Sequence, residues 1–317
     1  MRKRLYTKAL EYGRLAVGTP ASSTQDAIYI GSGSFYENVT AAELYAPVLW
    51  INGENTLVSL GKVSQMTDLS GNDYHATNSD ADSRPTRATS GLNTQKTIEF
   101  ADASGGQHLI VADNNDLDFS GDFEMMIVIR IDEDASYDTF LAKDTINSAW
   151  SWVHANAVGG GMVKFFTSGT DPVGATELTL EKWYILGVSR TSGVIQLYLD
   201  GETDGEPSGS NTTDLSGTED LYIGARWSGS ATQQMLEGGI AELLVWDDSL
   251  STNERANVVK YLQDRYFTSP IPADFSLVAG GVTTNYRRQP CGQILELAWD
   301  TVVSADNAAS DIIGLKK

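Results

Sequence analysis

Phe123-Glu124-Met125-Met126-Ile127-Val128-Ile129-Arg130-Ile131 is the stretch that decides the fold class. Its odd positions are all apolar and its even positions are mixed, the two-residue period of a strand with one face fully buried. Working outward, Trp183 to Val188 and Val194 to Leu199 read as the next pair of strands. In the second, Ile195, Leu197 and Leu199 point one way, and Gln196, Tyr198 and Asp200 point the other. Asp200-Gly201 then supplies the positive-φ turn that a tight hairpin requires. Leu221-Tyr222-Ile223-Gly224 is a further strand. Gly239 to Trp246 is apolar on both faces apart from Glu242, as a central strand is. From Tyr45 onward the chain is a succession of short strands and turn signals, which predicts an all-β sandwich.

One helix interrupts that pattern. Ser251-Thr252-Asn253-Glu254 spells a capping box, in which the Ser251 hydroxyl accepts from the Glu254 amide and Glu254 reaches back to the Ser251 amide. Val258, Val259, Leu262 and Tyr266 recur behind it at helical spacing. Ser269-Pro270-Ile271-Pro272 ends the helix and marks a boundary. The expected organisation is an N-terminal arm over residues 1–44, a sandwich over 45–267 and a C-terminal extension over 268–317. In the arm, Leu5, Ala9 and Tyr12 suggest a helix over residues 3–14, and Ala27 to Ile30 a strand before the Gly-Ser-Gly-Ser turn at 31–34. In the extension, Phe275 to Val278 and Gln293 to Trp299 suggest two more strands.

The chain has 317 residues and a formal net charge of −20. The charge is uneven: Arg2, Lys3, Arg4, Lys8 and Arg14 face a single acid, Glu11, in the first 14 residues, whereas residues 45–267 hold 33 acids against 13 bases. Such a surface repels nucleic acid and anionic lipid. Cys291, the lone cysteine, excludes an internal disulfide and reads as a packed side chain rather than a reactive thiol. No stretch qualifies as a membrane span. Met1 to Tyr6 has a basic start without the apolar run of a signal peptide, so synthesis in the cytoplasm is expected.

Two blocks of sequence carry a resemblance. The first is Pro47 to Ile51, Gly61 to Thr77 with its Asp68-Leu69-Ser70-Gly71-Asn72 and His75-Ala76-Thr77, then Arg84-Pro85-Thr86 and Ile98-Glu99-Phe100. The second is Trp183 to Val188, Leu197 to Gly201, Leu221 to Gly224, Gly238 to Trp246 and the capped helix. Together they resemble the laminin-G-like branch of the concanavalin A-like lectin/glucanase superfamily. Met66 departs from the family, which usually has Trp there. The resemblance implies a jelly roll of two antiparallel sheets packed face to face, with one C-terminal helix, matching what the alternation predicts.

Glucanases in this superfamily set their paired carboxylates on one strand, in an E-x-D-x-E or E-x-D-x-x-E stretch. Glu202-Thr203-Asp204-Gly205-Glu206 has that spelling, yet it follows a turn and ends at Pro207, so it reads as a solvated loop. His75, His108 and His154 are scattered, without metal-ligand spacing, and no phosphate loop, dinucleotide fingerprint or nucleophile elbow is present. Binding rather than catalysis is expected. The family often holds calcium near the opening turn. Asp68, Asn72 and Glu242 are the candidate ligands, the alternative being that Asp68 and Asn72 satisfy backbone amides in a tight turn. Trp150, Trp152 and Trp227 are candidates for stacking on glycan rings if they lie on loops; otherwise they belong to the core.

Laminin-G-like modules normally work outside cells, whereas this sequence shows neither an export signal nor a disulfide. Release by lysis reconciles the two. The expectation is a bacteriophage structural protein displaying a lectin-like domain on the virion surface, as a capsid decoration, head fibre or tail component. It would be a homo-oligomer, joined to other virion proteins through residues 1–44 and 268–317, with host or environmental glycans as possible ligands. The alternatives are a free bacterial carbohydrate-binding module and a glycoside hydrolase.

Overall fold

The structure is a computed structural model that describes residues 39–101, 106–133, 135–143, 150–155, 161–167 and 169–267, together with the backbone of 274–279 and 282–287. Val39–Thr268 form one compact unit. In the other unit, the described part is a hairpin of strands Asp274–Ala279 and Val282–Arg287, where the sequence suggested a strand from Phe275. The expected helix over 3–14, the strands at 27–30 and 293–299 and the boundary at 269–272 lie outside the described residues.

The compact unit is a two-layer jelly roll, as the sequence predicted. Its strands are β1 (Leu49–Asn52), β2 (Thr56–Ser59), β3 (Lys62–Met66), β4 (Ala76–Thr77), β5 (Thr86–Leu92), β6 (Gln95–Phe100) and β7 (Leu109–Val111). There follow β8 (Phe123–Ile131), β9 (Asp138–Lys143), β10 (Trp150–Ala155), β11 (Met162–Phe166), β12 (Val173–Glu177), β13 (Trp183–Thr191) and β14 (Val194–Leu199). The series closes with β15 (Glu202–Thr203), β16 (Leu221–Ile223), β17 (Arg226–Trp227), β18 (Thr232–Gln233), β19 (Gly238–Trp246) and the helix α1 (Thr252–Tyr266). Sheet A runs β19–β8–β13–β14–β15, with β1 and β6 sharing the far side of β19 and β5 outside β6. Sheet B runs β2–β3–β4–β7–β16–β9–β10–β11–β12. All these pairings are antiparallel.

The core fills the space between the layers. Sheet A contributes Phe123, Met125, Ile127, Ile129 and Ile131, the odd positions of β8, together with Ile240, Leu243 and Val245. Sheet B contributes Leu109, Val111, Trp150, Trp152, Val163 and Phe165. Met66, fully buried, fills its place in this core, as an unbranched thioether readily does. Asp200 and Gly201 both take positive φ, 51° and 96°. The capping box forms as read: Glu254 N–H donates to Ser251 Oγ at 3.4 Å and Ser251 N–H to Glu254 Oε2 at 2.9 Å.

A bulge in β19 places the helix. Ile240 pairs with Ile129 but Glu242 with Val128, so the register shifts by one at Ala241. Without that extra residue Glu242 would share the core-facing side with Ile240, because strand side chains alternate. The shift turns Glu242, Leu244 and Trp246 outward, where α1 lays Val258, Leu262 and Tyr266 over sheet A. The even positions of β8, mixed in sequence, divide accordingly. Glu124 receives both Nε and Nη2 of Arg255, at 2.6 and 2.8 Å, Met126 and Val128 are buried, and Arg130 is half-buried.

Candidate functional site

The outer face of sheet B, opposite the layer that carries α1, holds an aromatic line. Tyr222 is the outward residue of β16, between core-facing Leu221 and Ile223. The β17–β18 hairpin brings Trp227 onto it, with the rings 5.8 Å apart and only 5° from parallel. His108 meets Tyr222 from the other side at 5.7 Å. Trp227 is half-buried. On the adjoining strands β9 and β10, the hydroxyls of Thr139 and Ser151 are fully buried and have no hydrogen-bond partner among the described residues. Burial holds the His108 imidazole below its ordinary pKa, although the Gly106 carbonyl beside it pulls the other way. Burial, then Asp220 and Glu219, push the Tyr222 phenol up, so both rings are neutral near pH 7. A partly exposed indole backed by a stacked phenol is a surface on which a ring with one apolar face can lie.

Of the three tryptophans named from sequence, only Trp227 stands at that surface. Trp150 and Trp152 are 1% and 0% exposed, which corrects their assignment as glycan-stacking residues. They are the inward positions of β10: Trp150 stacks on Phe165 at 5.7 Å, and Trp152 meets Phe140 edge-on at 5.9 Å. Strand alternation at the sheet centre leaves them no free ring face. Tyr222 and His108 were missed as partners of Trp227, because nothing local in sequence joins residues 108, 222 and 227.

The candidate calcium ligands are each engaged by groups of the chain itself. Asp68 Oδ1 accepts from the amides of Trp50 and Ser70, both at 3.0 Å. Its Oδ2 accepts from the Ser70 hydroxyl at 2.7 Å and the Tyr74 amide at 3.0 Å. Asn72 Nδ2 donates to the Val48 carbonyl at 3.0 Å, and His75 Nδ1 accepts from the Asp68 amide at 3.2 Å. Asp68 satisfies backbone amides, as the alternative reading had it, whereas Asn72 ties the turn to the chain before β1 by donating to a carbonyl. Glu242 is engaged elsewhere: it accepts from Trp50 Nε1 at 2.5 Å, Tyr261 at 2.8 Å and Tyr266 at 2.7 Å, with Arg265 Nε at 3.5 Å. A cation placed on it would confront the guanidinium. Burial alone would lower the pKa of Arg265; Glu242 beside it outweighs that and raises it.

The Glu202–Glu206 stretch has a structural task. Asp204, 5% exposed, accepts from the amides of Ala175 and Thr176 at 3.2 and 3.0 Å and from the Thr176 hydroxyl at 2.8 Å. It thereby plugs the open edge of β12 in sheet B from the end of sheet A. Glu202 and Glu206 remain exposed. A second carboxylate pair surrounds a lysine: fully buried Lys143 donates to Asp113 at 2.6 Å, Asp118 at 2.8 Å and the Gly217 carbonyl at 2.9 Å. Three acceptors satisfy its three protons, so the ammonium is a clamp between loops.

This architecture is that of the concanavalin A-like fold. Residues 103–254 match the Laminin_G_3 profile, described as the concanavalin A-like lectin/glucanases superfamily. Among solved structures, the binding domain of Paraclostridial Mosquitocidal Protein 1 is similar at a TM-score of 0.53 and 12% identity, over 74% of this chain and 58% of that one. A botulinum neurotoxin type C structure, tied to interaction with two ganglioside molecules, gives 0.53 and 13%, over 75% and 58%. The ligand-binding domain of botulinum neurotoxin serotype D in complex with N-acetylneuraminic acid gives 0.52 and 15%, over 75% and 58%. The chain thus spans a little over half the length of these structures, and the likeness is one of fold. None of the curated proteins matches it.

Proposed function

We propose that the compact unit is a saccharide-binding module, with Trp227, backed by the buried Tyr222, as its recognition surface and no hydrolytic activity. The observation that carries this reading is the half-buried Trp227 ring laid parallel on Tyr222 across 5.8 Å. The partly exposed indole, backed by the buried Tyr222 ring, offers the apolar face on which a pyranose ring stacks. The engagement of Asp204 at the edge of β12 argues against a catalytic carboxylate pair in the Glu202–Glu206 stretch. The test is a glycan-binding measurement on wild type and Trp227→Ala. Equal binding by the two proteins would remove the assignment.

We further propose that the module is displayed on a bacteriophage virion, as a capsid decoration, head fibre or tail component, with residues 1–44 and 268–317 engaging other virion proteins. The charge split supports this reading. An acidic domain repels its own copies, whereas the basic cluster from Arg2 to Arg14 is complementary to an acidic neighbour. Replacing Arg2, Lys3, Arg4, Lys8 and Arg14 by Glu should abolish self-association or particle binding of the full chain, read by light scattering and co-sedimentation. Unchanged association would refute it.

A further inference from the structure

The outer face of sheet A continues past the end of α1, and its next row is not covered by the helix. Trp183 stands opposite Arg130, Arg130 opposite Gly239 and Gly239 opposite Glu99, on four neighbouring strands. Their chain neighbours Ile129, Ile98 and Ile240 face the core, so this row faces outward. Trp183, Arg130 and Glu99 are each half-buried.

The row is built around its glycine. A Cβ on Gly239 would lie 2.7 Å from Trp183 Cη2 and 3.1 Å from Glu99 Oε2. Only a residue without a side chain lets the indole reach across β8 and lie over β19. The Arg130 guanidinium sits 5.0 Å from the centre of that indole. It is held by Glu99 through Nη2 at 2.8 Å, and by Asp132 through Nε at 2.5 Å and Nη2 at 2.7 Å. Among the described residues those bonds engage Nε and Nη2 of Arg130 and not Nη1. The partly exposed indole carries the Arg130 guanidinium over its ring, and the fixed donor and two fixed carboxylates give hydrogen-bonding groups already oriented for a sugar that packs on the uncovered part of the indole. With two carboxylates to one guanidinium the row is net negative, which favours an uncharged sugar over an acidic one.

We propose that Trp183, Arg130 and Glu99 form a second saccharide site, for neutral pyranose oligosaccharides, on the opposite layer from Trp227. The module would then engage glycans from both faces and cross-link them. This inference shares with the preceding reading only the premise that the domain binds sugars.

The experiment is calorimetric titration of the full chain with cello-, xylo-, manno- and galacto-tetraose. Two equivalents of one of these sugars are expected per wild-type chain. Trp183→Ala and Glu99→Gln should each weaken the same equivalent at least ten-fold, whereas Trp227→Ala should remove the other. Thermal melts separate loss of contact from loss of fold, and if Trp183→Ala does not fold, the milder Glu99→Gln decides. Two undiminished equivalents in a folded Trp183→Ala or Glu99→Gln protein overturn the second site. If Trp183→Ala removes all binding and Trp227→Ala none, the site on sheet A stands and the assignment to Trp227 falls. Failure of wild type to bind any of the four sugars overturns both.

Discussion

Trp50 donates its indole N–H to Glu242 Oε1 across 2.5 Å, joining the strand that opens the domain to the strand that carries its helix. The same carboxylate takes the hydroxyls of Tyr261 and Tyr266 from α1, so a single fully buried acid ties β1, β19 and α1 together. Its burial is tolerated because three donors hydrogen-bond to it and Arg265 balances the charge. Burial, followed by the nearby Glu242 charge, keeps both phenols protonated well beyond the physiological range.

Removing that acid strands its partners. Glu242→Ala leaves Arg265 buried without its carboxylate and is expected to cost about 3–5 kcal/mol, measured by urea unfolding. Glu242→Gln, which keeps an acceptor, should cost less. A loss below about 1 kcal/mol for the alanine variant would show that the helix is held mainly by apolar contacts.

The tryptophans should separate by role. Trp152→Ala empties a fully buried core position and should destabilise by about 3–5 kcal/mol, whereas Trp227→Ala should leave the melting temperature close to wild type and abolish sugar binding. Retained stability in Trp152→Ala would contradict its placement between the layers.

His108 predicts an acid sensitivity. Its folded pKa is depressed by burial, while the unfolded imidazole takes up a proton near pH 6.5. Below that pH the unfolded state binds more protons than the folded one, so stability is full above about pH 6.5 and falls as pH drops through the window. Melting temperatures between pH 8 and 5 should decline more steeply for wild type than for His108→Gln. Identical slopes would discount the effect.

Asp204 should behave as an edge plug rather than a catalyst. Asp204→Ala frees two β12 amides and is expected to cost about 2–3 kcal/mol and to raise aggregation, read by light scattering. Glu202→Gln and Glu206→Gln should be silent in stability and in any β-glucan assay. Loss of measurable glucan turnover in either would reverse the reading.

The opening turn should be independent of calcium. Asp68→Ala removes an acceptor of four hydrogen bonds and should destabilise markedly, while adding calcium or a chelator should leave the wild-type melting temperature unchanged. An upward shift with calcium would place a cation among groups that here satisfy one another.

Strand periodicity, turn residues and the capping box were legible because each is a local property. Phe123 to Ile131 alternates, Asp200-Gly201 permits positive φ, and Ser251 and Glu254 lie within reach of each other, whatever the rest of the chain does. The site was not legible in this way. His108, Tyr222 and Trp227 meet only because β16 and the β17–β18 hairpin return to one face. Trp150 and Trp152 have the same chemistry as Trp227 but the opposite fate, decided by which side of β10 faces the other layer. Glu242 is the sharpest case. Its sequence environment is that of a central strand, yet a single extra residue at Ala241 turns it from the core toward the helix. Sequence determined which segments are strands and where the helix starts; register and layer stacking, which depend on partners far along the chain, decided which side chains are buried and which are offered to a ligand.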